Sequence, residues 1–102
     1  MPAVVIPDWR EKVVYASDGP KPLFLAESDQ IKFVLAGLEA GQKIPVHPDT
    51  LAMYHFLDGS GWMVVDGERI AVGAGTTVVA PDGAARGMEA ETRLAFIASR
   101  VA

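Results

Sequence analysis

A chain of 102 residues, 50% hydrophobic and 22% charged, is long enough to bury one core, too short for two, and too apolar to be disordered as a whole. Nine basic residues against thirteen acidic ones give a net charge of −4 with no Lys or Arg run, which argues against nucleic acid or an anionic membrane as a partner. With no cysteine, disulfides, thiolate metal sites and cysteine nucleophiles are excluded, and with no long apolar stretch the expectation is a soluble, cytoplasmic single domain over 1–102.

Taken in chain order, residues 1–12 read as a loosely attached N-terminal arm. Beyond them turn signals recur at about the ten-residue spacing expected of short antiparallel strands. They are Asp18-Gly19-Pro20, Gly37, Gly41, Asp58 to Gly61, Asp66-Gly67, Gly73 to Gly75 and Pro81-Asp82-Gly83. The runs of Val, Ile, Phe, Tyr and Thr between them predict strands over 13–16, 23–26, 32–38, 51–57, 62–65, 69–72, 76–79 and 94–100, and no helix. The strongest local signal is Trp62 to Val72, where Asp66-Gly67 supplies the positive-φ pair of a tight hairpin. Alternation puts Trp62 and Val64 on one face and Met63 and Val65 on the other. Both faces are apolar, so the hairpin is expected to be covered on both sides, by the interior and by a second sheet or subunit. Together with Ile97, Val101 and Ala102 it offers a face for a homodimer.

The stretch from Gly41 to Arg86 resembles the two motifs of the cupin superfamily. Gly41 to His47 matches the opening of the first motif and Leu57 to Gly61 its close, while Gly75, Pro81 and Gly83 keep the spacing of the second. The resemblance implies an all-β, double-stranded β-helix (jelly-roll) barrel with a site inside it. Cupins typically hold a divalent metal through two histidines and a glutamate of the first motif and a histidine of the second. Here Ala52 falls at the glutamate position, Arg86 at the second-motif histidine and Ala90 at the motif's asparagine. Counted from Gly41, His47 is the first histidine and Asp49 replaces the second; counted back from Gly59, His47 is the second and Pro45 replaces the first. With either register the resident metal is expected to be lost, because the ligands are too few and a guanidinium repels a cation.

The residues that remain to carry chemistry are His47, Asp49, Tyr54, Arg86 and Met88. Arg86 reads either as a fork for a carboxylate, phosphate or enolate, or as the partner of Asp49. His47 reads as a general base or acid, or as hydrogen-bonded scaffold. Tyr54, Phe56, Met53, Met63, Met88, Trp62 and Phe96 form an aromatic and thioether set suited to a core or to a flat or apolar ligand. No nucleotide-binding glycine loop or serine-hydrolase elbow is present, and no cofactor is expected. The leading reading is a metal-free barrel that binds a small, anionic molecule through Arg86, with His47 and Tyr54 in support. The alternative is a metal-independent isomerase or lyase in which His47 or Tyr54 moves a proton and Arg86 stabilises an oxyanion. A third reading keeps a metal on His47, Asp49 and His55, as in cupin dioxygenases.

Overall fold

Turn chemistry sets the strand pattern seen in a computed structural model that describes residues 2–102. Nine strands are found among them: β1 (Leu23–Glu27), β2 (Ile31–Leu38), β3 (Lys43–Pro48), β4 (Ala52–Asp58), β5 (Ser60–Val65), β6 (Glu68–Gly73), β7 (Thr77–Ala80), β8 (Ala85–Ala90) and β9 (Leu94–Val101). At the β5–β6 turn both Asp66 (φ 47°) and Gly67 (φ 83°) have positive φ, and Val65 pairs with Glu68, which is the hairpin expected from Asp-Gly. The strands form two antiparallel sheets, in the orders β1-β2-β9-β4-β7 and β3-β8-β5-β6. This is a double-stranded β-helix barrel, the fold that the resemblance implies.

The inward faces follow strand periodicity. Val34, Ala98, Tyr54 and Val78 form one layer across the larger sheet, and Ala36, Phe96 and Phe56 form the next. Met63 and Met88 face them from the smaller sheet, paired across β5 and β8. One end of the barrel is sealed by Leu38, Phe56 and Leu94, each with no exposed surface. The other end opens where β4 and β9 pair Ala52 with Arg100.

Two strands escape the sequence pattern. β8 reads Ala-Arg-Gly-Met-Glu-Ala, without a single β-branched residue, yet it is central in its sheet and largely buried. Packing overrides its low propensity. A Cβ at Gly87 would lie 2.6 Å from the Ile44 carbonyl oxygen, so this glycine permits the close approach of β3 and β8. β3 carries Pro45 and Pro48, which a sheet tolerates only at its edge, and there it lies, with a register shift between Ile44 and His47.

The predicted strand over 13–16 does not form. This segment instead lies on the outer face of β2, where a Cβ at Gly37 would sit 2.8 Å from the Tyr15 ring and Val13. Gln42 Nε2 donates to the Ala16 carbonyl at 2.6 Å, and the Arg93 guanidinium lies 4.7 Å from the Tyr15 ring centroid while pairing with Glu39. Upstream, Trp9–Glu11 form a 3-10 turn capped by Asp8, and Ile6 and Trp9 lie beside Leu35 and Ile97. In the hairpin, Met63 faces the interior, and within this chain the ring of outward-facing Trp62 is covered by Arg69, 3.9 Å from its centroid, and not by the second sheet. No helix among the described residues is long and apolar enough to cross a membrane.

Candidate functional site

The open end of the barrel leads into a cavity of about 140 Å³. His47, Asp49, Tyr54, Arg86 and Met88 all line it, so the five residues singled out from the sequence converge on one place. His55 does not. It sits on the outward face of β4, where Nδ1 lies 2.8 Å from Thr77 Oγ1 across the β4–β7 pair.

Arg86 has a role that neither sequence reading foresaw. Its side chain is 2% exposed, and four hydrogen bonds tie it to backbone carbonyls. Nε donates to Ala84 O (3.0 Å), Nη1 to Thr50 O (2.7 Å), and Nη2 to Asp49 O (3.0 Å) and Pro81 O (2.9 Å). Only one of the five guanidinium N–H groups is left over. The fork is therefore a clasp joining the β3–β4 and β7–β8 connections, and it is not open to grip an anion. Nor does it pair with the Asp49 carboxylate; it takes that residue's carbonyl.

The Asp49 carboxylate turns to Arg100, a residue the sequence reading passed over. Arg100 Nη1 donates to Asp49 Oδ2 at 2.9 Å, and the Thr50 amide donates to Oδ1 at 2.8 Å. Burial opposes ionisation of Asp49, but the Thr50 amide, the Arg100 hydrogen bond and the charges of Arg100 and Arg86 outweigh it and hold the carboxyl below its ordinary range. Arg100 is 30% exposed and lines the cavity, and its other N–H donors have no partner among the described residues. Its signal in the sequence is phase: Leu94, Phe96, Ala98 and Arg100 share the inward face of one strand, and an arginine there calls for a reason.

Two further polar groups face the same space. Tyr54 is 8% exposed, and its hydroxyl has no hydrogen-bond partner among the described residues; it keeps contact with the cavity, since no sealed side-chain polar atom is left unpaired. His47 Nδ1 lies 2.9 Å from the Pro45 carbonyl, an acceptor only, so neutral His47 carries its proton on Nδ1. That leaves the Nε2 lone pair free, 3.7 Å from Asp49 Oδ2. The walls are apolar: Val34, Ala36, Ile44, Met63, Met88 and Phe96. Pro20 and Pro22, from the segment leading into β1, complete the mouth. With two guanidinium groups against one carboxylate the cavity is locally positive in a chain of net charge −4.

A divalent metal does not fit this donor set. No group of three His, Cys, Asp or Glu side chains comes together among the described residues, Asp49 is engaged by Arg100, and Arg86 stands at the fourth cupin position. The set His47, Asp49 and His55 is ruled out by geometry, because His55 faces outward.

No protein-family profile matches the sequence, and no curated protein matches it. Solved structures do. A conserved protein of unknown function from Streptococcus pyogenes superposes with a TM-score of 0.86 at 22% identity, covering 99% of this chain and 90% of that one. An uncharacterised conserved protein with a double-stranded β-helix domain from Klebsiella pneumoniae gives a TM-score of 0.84 at 20% identity, over 94% and 88% of the two chains. An RmlC-like cupin from Desulfovibrio desulfuricans gives 0.81 at 24% identity, over 99% and 95%. At these identities the likeness establishes the fold and leaves the activity to be argued from the site.

Proposed function

We propose that this small cupin-fold barrel binds a small anionic molecule, with Arg100 at the mouth taking the negative charge and the apolar walls taking the body of the ligand. The observation that carries the reading is the unengaged part of the Arg100 fork, held over an apolar cavity with a positive charge balance. Arg86 supports the site from behind, by fixing the loops that present Asp49 and Thr50.

The test is calorimetric titration with small aliphatic and aromatic carboxylates, each against its neutral primary amide. At least one carboxylate is expected to bind about tenfold or more tighter than its amide, with the preference lost in Arg100→Met. A panel in which no carboxylate beats its amide overturns the reading.

A second reading, proton transfer on a bound carbonyl acid, is supported by the His47 tautomer. A histidine with a free Nε2 at the cavity, beside the unpartnered Tyr54 hydroxyl, has the arrangement of a base and an acid. Arg86 drops out of this scheme, because its donors are engaged, and Arg100 takes its place. Deuterium entering the methyl group of pyruvate from D2O faster than in buffer, and no longer in His47→Ala, is the expected result; exchange equal to buffer rejects it.

A further inference from the structure

We infer that the ligand is a monocyclic aromatic carboxylic acid carrying a second polar group on its ring. This rests on the reading of Arg100 as an anion site and adds what the rest of the cavity selects. Size comes first. A cavity of about 140 Å³ falls below the range of drug-sized pockets and close to the roughly 150 Å³ apolar cavity known to accept a benzene ring.

Wall chemistry comes second. The larger sheet presents the Phe96 and Tyr54 rings, 5.9 Å apart between centroids, and the smaller sheet presents the paired thioethers of Met63 and Met88. A flat ring between them meets aromatic side chains on one side and thioether side chains on the other, both favourable neighbours for an aromatic ring. A saturated ring of equal length is thicker and gains only ordinary apolar contact.

The polar groups come third. Tyr54 pairs with Ala98 and Ala52 with Arg100, so Tyr54 and Arg100 occupy diagonal positions on the inward face of β4 and β9, about 7–8 Å apart at their backbones. Their side chains enter one cavity. Arg100 has donors to spare at the mouth, while the Tyr54 hydroxyl, on a residue 8% exposed, has no protein partner and opens onto the cavity. A ligand that covers this hydroxyl without bonding to it leaves it unpaired, which is costly, so the occupant is expected to carry a hydroxyl or carbonyl for Tyr54 in addition to its carboxylate for Arg100.

The experiment is a competition series on the wild-type chain with benzoate, cyclohexanecarboxylate, the three hydroxybenzoates and the amide of each, repeated on Tyr54→Phe. Benzoate is expected to bind about fivefold or more tighter than cyclohexanecarboxylate. One hydroxybenzoate is expected to bind a further factor of about five or more tighter than benzoate, and the ratio between the two is expected to fall to about one in Tyr54→Phe. Equal binding of benzoate and cyclohexanecarboxylate, both ahead of their amides, overturns the aromatic assignment and leaves the anion site standing. A hydroxyl preference that survives in Tyr54→Phe overturns the role given to Tyr54. Acids no better than amides throughout overturn the anion site and this inference with it.

Discussion

Arg86 and Arg100 show how much a side chain's neighbours decide. Both are arginines at the open end of one barrel, but the first has four carbonyls around it and the second keeps donors free. Arg86→Met removes all four hydrogen bonds of the clasp between the two connections, and is expected to cost about 2–4 kcal/mol, read by chemical denaturation. Arg86→Lys supplies too few donors in the wrong geometry and is expected to recover only part of it. Asp49 gives a pH signature. Its lowered pKa means that the ionised form stabilises the fold at pH values above the ordinary carboxyl range, and that this contribution fades as pH falls through the lowered value. The stability gap between the wild-type chain and Asp49→Asn is therefore expected to be widest near neutrality and to close below about pH 4. A gap that stays constant down to acid pH refutes the pairing.

At the scale of elements, the segment over Val13 to Ala16 carries a strand's composition without a strand's partner. It is held on the outside of β2 by side-chain contacts: Tyr15 and Val13 over Gly37, Gln42 on the Ala16 carbonyl, and Arg93 between Tyr15 and Glu39. Gly37→Ala puts a methyl group into the Tyr15 ring, and faster amide hydrogen exchange from Val13 to Ala16 is expected, with β9 and β4 still protected. Unchanged exchange would mean that the segment is held by something else. The same segment runs on to Pro20 and Pro22 at the cavity mouth, so its docking shapes access to the site. β3 and β8 were illegible for the opposite reason. Proline at a sheet edge and an alanine, glycine and arginine run at a sheet centre both contradict local propensity, and only the pairing of Lys43–Pro48 with Ala85–Ala90 makes them strands.

The whole molecule is a barrel with one end sealed and one end polar. The homodimer expected from the sequence is checked by sedimentation equilibrium: a single species at 10.9 kDa over a wide concentration range rejects it. The sequence by itself determined the all-β class, the Asp66-Gly67 hairpin and the resemblance that pointed to a cupin, because these depend on turn residues and a period of two. It also named His47, Asp49, Tyr54, Arg86 and Met88, and all five line the cavity. What each of them does was decided only by the tertiary structure. Whether a buried guanidinium meets carbonyls or a ligand, whether Asp49 faces Arg86 or Arg100, and whether a tyrosine hydroxyl finds a partner all depend on loops brought together from distant parts of the chain. Hydrogen-bond partners of that kind leave no local pattern, and they separate a structural arginine from one free to bind.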